Sequence, residues 1–176
     1  MKLFYSLFVA LVFTIRAPYN CLMLLEKKAA LKLTLRGKSL SIAESCTGGL
    51  LTHRLTNISG SSQFLVGSLI AYANETKIRL LKIPASLIKK HGAVSQVVAR
   101  KMSQNARGIF RTDLGVGVTG IAGPTGGTKE KPVGLVFICV SDKRQTICRR
   151  FLFKGGRARV KSQAADEALR LLLKFL

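Results

Sequence analysis

Residues 39–49 read SLSIAESCTGG and contain the transition that decides the fold. Residues 39–43 form a short apolar segment typical of a buried strand, and the polar turn ESCTGG interrupts it. Residues 47–56 then have the pattern of a helix whose amino end faces the glycines. A strand, a glycine-containing turn and a helix in this order predict an α/β unit, in which ligands bind beyond the carboxyl ends of the strands.

The rest of the chain continues to alternate between strand and helix patterns. Short apolar runs predict strands, and amphipathic stretches bounded by capping or stop residues predict helices. The predicted strands are residues 39–43, 64–72, 114–119, 133–140 and 145–153, and the predicted helices are residues 23–36, 47–56, 74–81, 84–91, 96–110 and 157–175. The last two strands flank Asp142 and predict a hairpin. We therefore predict an α/β fold with a mixed sheet, a three-layer α/β/α sandwich formed by one domain over residues 23–176.

Length and composition limit the class of protein. The chain has 176 residues, of which 48% are hydrophobic, enough for one packed domain and too many for a disordered chain. Its four cysteines form no C-x-x-C pair and no cluster with His53 or His91, so we expect no metal site. We expect the thiols to be reduced and mostly buried. Cys139 and Cys148 could pair across the hairpin, but the reduced state is favoured.

Charge is the most unusual property of the sequence, because 29 basic residues against 8 acidic residues give a net charge of +21. Such a charge attracts polyanions, including nucleic acid, anionic membranes and phosphorylated metabolites. Ten of the basic residues lie within residues 143–176, so a nucleic-acid-binding protein is one alternative. The sequence has no Trp, three Tyr and no helix-turn-helix or RNA-binding motif. We therefore expect nucleic acid to bind at most non-specifically and with strong salt dependence.

The first 22 residues are a separate question. Residues 1–15 form an apolar run that is too short for a comfortable membrane span, so we expect no stable span. Three interpretations remain open: translation begins at Met23, the segment is a leader or anchor, or it is a helix packed on the domain. We favour an over-long start, with residues 1–22 outside the fold. A genuine leader would imply export or tethering.

Three glycine-containing turns carry small polar side chains at the ends of predicted strands. They are residues 44–49 (ESCTGG), 60–62 (GSS) and 119–124 (TGIAGP). Glycines allow main-chain N–H groups to approach a phosphate or an oxyanion closely. Tyr72 and Lys77 follow the second predicted strand, and a lysine in a dry, cation-rich pocket can act as the general base for a neighbouring serine. A Ser–Lys pair is therefore the natural candidate for hydrolysis here. The alternative is that Lys77 is a solvated lysine of a helix and Tyr72 a core residue.

These segments occur in an order and spacing that resemble one family. The segments ESCTGG, GSS, AYANETK, HGAVS and VTGIAGPTGGTKEKPVG follow one another along the chain. Together they are similar to the C-terminal domain family of the competence- and damage-inducible protein CinA, whose standalone members are nicotinamide-nucleotide amidases. The resemblance covers about residues 23–176. It implies hydrolysis of the carboxamide of nicotinamide mononucleotide to nicotinate mononucleotide and ammonia, with no metal or organic cofactor.

The resemblance also implies roles for individual residues. Ser62 corresponds to the catalytic serine of the family, Lys77 to its base, and Tyr72 to a residue that relays the proton or faces the pyridinium ring. Ser45 and Thr119 are expected to donate hydrogen bonds in the catalytic site. Arg157 is expected to hold the 5′-phosphate, a task that suits a guanidinium group. The other residues expected to contact the substrate are Thr47, Gly48, Gly49, Gly120 and Gly123.

Two alternatives remain for this interpretation. Ser45 could replace Ser62 as the nucleophile, and the turn at Thr47 could bind phosphate or an oxyanion at a helix amino end. A protein of this type could also bind nucleotides or nucleic acid, in connection with competence or DNA damage, without turnover. We expect a cytoplasmic enzyme that acts on a small phosphorylated pyridine nucleotide, and association into a homo-oligomer is plausible.

Overall fold

A computed structural model describes residues 24–176. The helices are α1 (Leu25–Leu35), α2 (Leu50–Thr56), α3 (Asn74–Arg79), α4 (Ala85–His91), α5 (Gln96–Phe110) and α6 (Arg157–Phe175), and a short 3-10 helix covers Ser61–Gln63. The strands are β1 (Leu40–Glu44), β2 (Leu65–Ile70), β3 (Leu114–Gly120), β4 (Leu135–Ser141) and β5 (Thr146–Leu152). The interpretations of residues 1–22 lie outside the described residues. None of the helices in residues 24–176 is long and apolar enough to cross a membrane.

The five strands form one mixed sheet in the order β2-β1-β3-β4-β5. Strand β1 lies parallel to both β2 and β3, whereas β4 is antiparallel to β3 and to β5. The parallel register aligns Glu44 at the end of β1 with Ile70 of β2 and Val118 of β3. The carboxyl ends of the three parallel strands therefore lie side by side, and the loops that follow these strands meet there.

Helices cover both faces of the sheet, which confirms the predicted three-layer arrangement. One hydrophobic cluster joins α1, α2 and α6 to one face, and a second cluster joins α3, α4 and α5 to the other. Helix α5 approaches β3 so closely that a Cβ atom added to Gly117 would lie 2.4 Å from the carbonyl oxygen of Ala99. The glycines of β3 therefore allow the helix to pack directly on the strand backbone.

Helix α2 begins three residues later than the sequence pattern predicts. Residues 47–49 form a turn instead, and Gly48 and Gly49 have φ angles of +61° and +93°. These angles lie in the left-handed region, which a regular right-handed helix does not use. The helix consequently starts at Leu50.

The expectation that all the thiols are reduced is wrong for one pair. Cys139 of β4 and Cys148 of β5 lie directly opposite each other in the antiparallel register and form a disulfide, with their Cα atoms 4.1 Å apart. Opposite residues on neighbouring strands project to the same face of a sheet, which brings the two sulfur atoms together. Cys46 is free and buried, as predicted.

Candidate active site

A pocket of about 250 Å³ lies at the carboxyl ends of the parallel strands. Four loops and the first residue of α6 surround it. Its lining consists of Ser45 and Cys46 after β1, Tyr72, Asn74 and Lys77 after β2, Ala93 and Val94 before α5, residues 119–123, 125 and 126 at the end of β3 and beyond, and Arg157. The pocket thus contains seven of the residues selected from the sequence, namely Ser45, Tyr72, Lys77, Thr119, Gly120, Gly123 and Arg157.

Ser45 and Lys77 are in direct contact at the base of this pocket. The Lys77 Nζ atom donates a hydrogen bond to Ser45 Oγ over 3.1 Å. Ser45 is fixed in the turn after β1 because its main-chain N–H donates to the carbonyl of Val118 on the neighbouring strand. The serine and the lysine therefore come from two successive strand–helix connections of the parallel sheet.

Lys77 is only 1% exposed, which is rare for a lysine. Besides Ser45, its ammonium group donates to the main-chain carbonyls of Ala71 (2.8 Å) and Tyr72 (3.1 Å). No carboxylate in residues 24–176 forms an ion pair with it. Burial lowers the pKa of the Lys77 side chain below its ordinary value of 10.5, and the nearby Cys46 opposes this shift weakly. Lys77 thus loses its proton more readily than a solvated lysine does, and the neutral amine is the form that can accept a proton.

The thiol beside Ser45 is poorly suited to act as a nucleophile. Cys46 is buried, and its desolvation raises the pKa of the thiol to about 12. A thiol with such a pKa stays protonated near neutral pH, and the thiolate is the reactive form. Cys46 therefore fits the expectation of a reduced, buried thiol, although it contributes to the pocket wall.

The loop after β3 forms a wall with main-chain hydrogen-bond donors. Thr119 is buried at the end of β3, and its hydroxyl donates to the carbonyl of Ala93 over 3.0 Å. Within the described part of the chain, the N–H groups of Gly123, Thr125 and Gly126 have no protein acceptor. Gly123 has a φ angle of +82°, and a Cβ atom there would lie 2.5 Å from the Val133 side chain. This backbone can offer N–H groups to an anion.

Arg157, the first residue of α6, also lines the pocket. One guanidinium nitrogen donates to the carbonyl of Gly123 over 2.8 Å, and another donates to the hydroxyl of Tyr72. Arg157 is exposed, and so is Tyr72. The guanidinium group is therefore positioned by the two walls of the pocket and accessible to an anionic ligand.

The turn at residues 47–49 does not contribute to the pocket, in contrast to the predicted roles of Thr47, Gly48 and Gly49. The carboxylate of Glu44, fully buried, accepts hydrogen bonds from the N–H groups of Gly49, Leu51 and Thr52 and from the Thr52 hydroxyl. Thr47 is fully buried, and none of the three predicted residues lines the cavity. The protein's own carboxylate thus occupies the amino end of α2 that a substrate anion was expected to bind.

Ser62 is also absent from the pocket, so a single chain does not form the predicted Ser62–Lys77 pair. Ser62 lies in the 3-10 helix that precedes β2, whereas Lys77 follows β2. The six residues of β2 separate them, a length of about 20 Å. The physical reason is the direction of the strands. The turns ESCTGG and TGIAGP follow parallel strands, whereas GSS precedes one and therefore lies at the amino ends of the strands, away from the pocket.

The sequence prediction omitted several residues that line the pocket. These are Cys46, Asn74, Ala93, Val94, Ile121, Ala122, Thr125 and Gly126. Asn74 belongs to the segment AYANETK, and Ala93 and Val94 belong to HGAVS, two of the segments that carry the family resemblance. Their position in those two segments is the signal in the sequence that could have identified these residues as part of the site. No group of three or more His, Cys, Asp or Glu side chains within residues 24–176 is arranged to hold a metal ion.

Comparison with curated proteins identifies relatives over the same part of the chain. A CinA-like protein of Syntrophus aciditrophicus is 50% identical over 153 residues, which cover 86% of this chain and 36% of that relative. A CinA-like protein of Koribacter versatilis is 46% identical over 152 residues, which cover 86% of this chain and 37% of that relative. The chain thus spans little more than a third of the length of these relatives.

Solved structures have the same fold. The competence damage-inducible protein A (ComA) of Klebsiella pneumoniae superimposes with a TM-score of 0.83 at 31% identity, covering 85% of this chain and 93% of that one. The competence/damage inducible protein CihA of Agrobacterium tumefaciens gives a TM-score of 0.82 at 34% identity, covering 85% and 94%. The family model described as the CinA C-terminal domain matches residues 23–176. The chain therefore belongs to the CinA C-terminal domain family.

Proposed function

We propose that the protein is a nicotinamide-nucleotide amidase that hydrolyses the carboxamide of nicotinamide mononucleotide. The observation that carries this proposal is the 3.1 Å contact between Ser45 Oγ and Lys77 Nζ in a pocket that keeps the lysine dry. A serine beside a lysine of lowered pKa is an activated nucleophile. The choice of substrate rests on the family resemblance. The pocket contains groups suited to the carboxamide of this substrate and to its 5′-phosphate.

In the first step, Ser45 Oγ attacks the carboxamide carbon while its proton moves to Lys77 Nζ. The lysine then gives this proton to the departing nitrogen, so ammonia leaves and an acyl ester forms on Ser45. Water attacks the ester in the second step, with Lys77 accepting its proton and returning it to the serine oxygen. Nicotinate mononucleotide and ammonia are the products, and the enzyme regains its starting protonation.

The remaining pocket groups suit the charged parts of this substrate. The guanidinium group of Arg157 can make paired, charge-assisted hydrogen bonds to the 5′-phosphate. The free N–H groups of Gly123, Thr125 and Gly126 can stabilise a phosphate or the oxyanion that forms during attack. Tyr72 offers a ring face to the pyridinium cation.

The decisive experiment measures ammonia release from nicotinamide mononucleotide by the full chain and by Ser45→Ala, Ser62→Ala and Lys77→Met. We expect Ser45→Ala and Lys77→Met to be inactive while they remain folded by circular dichroism. Full activity in Ser45→Ala would overturn its assignment as nucleophile. A folded wild type that binds the mononucleotide without releasing ammonia would support a binding protein in place of an amidase.

A further inference from the structure

Helix α1 carries leucines on the side that faces away from the domain. Leu31 and Leu35 lie one turn apart and are 51% and 76% exposed, and Leu24, the N-cap residue, is 57% exposed. With 3.6 residues per turn, positions 24, 31 and 35 of a regular helix fall within about 40° of one another around its axis. Leu33, on the other side of the helix, is fully buried. We call Leu24, Leu31 and Leu35 the leucine stripe.

The leucine stripe contributes nothing to the core of the domain. Helix α1 already packs its opposite side, with Ala29, Ala30 and Leu33, in the hydrophobic cluster that it shares with α2 and α6. Leu35 is the most exposed large apolar side chain in residues 24–176. Single exposed apolar side chains are common on protein surfaces, whereas neighbouring ones mark an interaction surface. The stripe therefore indicates a partner outside the domain.

Basic side chains accompany the leucine stripe, and acidic ones do not. Lys27 of α1 and Arg36 at its end are exposed. Within residues 24–176, neither of them forms an ion pair. Glu26 is the one carboxylate in the sequence of α1, and it is turned inward to Arg54 at 2.8 Å with only 13% of its side chain exposed. The outer side of α1 thus combines apolar and cationic groups without an anionic one.

We propose that α1 docks on the surface of a bilayer with anionic headgroups, with the leucine stripe in the boundary between the headgroups and the acyl chains. Amphipathic helices bind membranes in this way, with their basic side chains against the lipid phosphates. The 11 residues of α1 span about 16 Å, well short of the hydrocarbon core of about 30 Å. The helix therefore lies along the membrane surface. The net charge of +21 adds to the attraction.

A bilayer suits the leucine stripe better than the other candidate occupants do. A second copy of α1 would bring the basic side chains of two chains of charge +21 together. Nucleic acid offers phosphates to the cations and no apolar surface to the leucines. Residues 1–15 are apolar at nearly every position, so a stripe one residue wide would cover only one side of that segment. A membrane accommodates both, since only residues 16–23 separate the segment from the stripe.

The first test is co-sedimentation of the full chain with vesicles, which does not depend on any enzymatic activity. The wild type should bind vesicles made of equal parts of phosphatidylcholine and phosphatidylglycerol. Leu31→Gln/Leu35→Gln should weaken this binding at least about tenfold, because two apolar side chains no longer enter the membrane. Leu80→Gln/Leu152→Gln is the matched control, since these leucines are 51% and 54% exposed elsewhere. A wild type that does not bind, or equal binding by the two double variants, would overturn the proposal.

The second test concerns the charge of the membrane. Lys27→Gln/Arg36→Gln should weaken binding to the anionic vesicles by about fivefold per residue, the factor that corresponds to about 1 kcal/mol for a basic residue at an anionic surface. Binding to vesicles of phosphatidylcholine alone should be weaker and should not change in this variant. Lys89→Gln/Lys90→Gln is the control, because it removes two exposed lysines of α4 on the other side of the sheet. Equal binding of the wild type to neutral and anionic vesicles would contradict the choice of partner.

A fluorescent label shows directly what covers the leucine stripe. In a Cys21→Ser background, Leu35→Cys can carry a nitrobenzoxadiazole label, because Cys46 is buried and the other two cysteines form a disulfide. Anionic vesicles should shift the emission of this label to the blue and leave a label at Leu80→Cys unchanged. A blue-shifted emission before vesicles are added would reject the membrane as occupant. The occupant would then be a second copy if the emission depends on protein concentration, and residues 1–22 if it does not.

Discussion

Lys77 Nζ lies 3.1 Å from Ser45 Oγ, and its other hydrogen bonds go to the main-chain carbonyls of Ala71 and Tyr72. The lysine is therefore positioned by neutral partners, without a carboxylate that would hold its proton. The carbonyl groups orient the Lys77 side chain, and its burial lowers the pKa of the amino group. This arrangement provides both a fixed direction for proton transfer and a lysine that can lose its proton.

Replacement of either member of the pair should abolish ammonia release without unfolding the protein. We expect Ser45→Ala to lower kcat by at least about 10³-fold, because the attacking oxygen is lost. Lys77→Met should lower it by about 10²–10⁴-fold, the usual contribution of a general acid–base group. Cys46→Ala is the control, since its thiol is protonated and is assigned no chemical role. If Cys46→Ala were inactive and Ser45→Ala active, the nucleophile would be Cys46 and not Ser45.

The rate should depend on pH through Lys77. Its pKa is lowered below 10.5 by burial, and the neutral amine is the active base, so kcat/KM should rise with pH along a limb whose midpoint lies below 10.5. Lys77→Arg should lack this limb and the activity, because a guanidinium group keeps its proton. A pH profile of kcat/KM for the wild type checks this, and a limb centred at or above 10.5 would contradict it.

The same shift predicts how stability changes with pH. Between the pKa of Lys77 in the folded protein and 10.5, the unfolded chain binds more protons at this residue than the folded chain does. The free energy of unfolding should therefore rise with pH in that window. The comparison is denaturant unfolding of the wild type and Lys77→Met at several pH values. The wild type should gain stability relative to the variant as pH rises, and a constant difference would count against a lowered pKa.

Arg157→Ala should weaken the recognition of the phosphate group specifically. We expect KM for nicotinamide mononucleotide to rise about tenfold, as for the loss of a charge-assisted hydrogen bond. Turnover of the riboside, which lacks the phosphate, should change little. Arg159→Ala is a control for charge, because Arg159 is also exposed and lies in the first turn of the same helix. Equal losses for both substrates would show that Arg157 acts on the pocket walls and not on the phosphate.

Glu44→Ala should destabilise the protein through the amino end of α2. The substitution leaves three buried or half-buried N–H groups and the Thr52 hydroxyl without their acceptor. We expect a loss of about 3 kcal/mol in the free energy of unfolding, since each unsatisfied donor costs about 1–3 kcal/mol. Glu75→Ala, which removes only an exposed ion pair with Arg79, should stay within about 0.5 kcal/mol of the wild type. Urea unfolding of both variants measures the difference.

Sequence patterns predicted most of the architecture because each element has a local signal. Apolar runs such as residues 114–119 and the Ser95 cap identify β3 and α5 closely, and the cap bond from Val98 N–H to Ser95 Oγ is present. Asp142 accepts hydrogen bonds from the N–H groups of the two residues that close the hairpin. Local hydrogen bonds and periodicity thus determine these boundaries.

Other features depend on how segments meet in the folded chain, which local patterns do not indicate. The partner of the α2 amino end is Glu44, and no local pattern indicated that this carboxylate turns inward to occupy it. Ser62 precedes its strand, so the direction of the parallel strands places it at the end of the sheet opposite to the pocket, and its role stays a prediction. The disulfide depended on which residues of β4 and β5 lie opposite each other, and strand register is a property of the hairpin as a whole.

Under the proposed amidase function, the contact between Ser45 and Lys77 makes the activity a measure of strand alignment. The serine follows β1 and the lysine follows β2, and the two are brought together by the pairing of Glu44 with Ile70. A shift of β2 by one residue would turn its side chains to the opposite face and move its end by about 3.3 Å. Ammonia release during refolding would therefore report when these two strands have reached their native alignment.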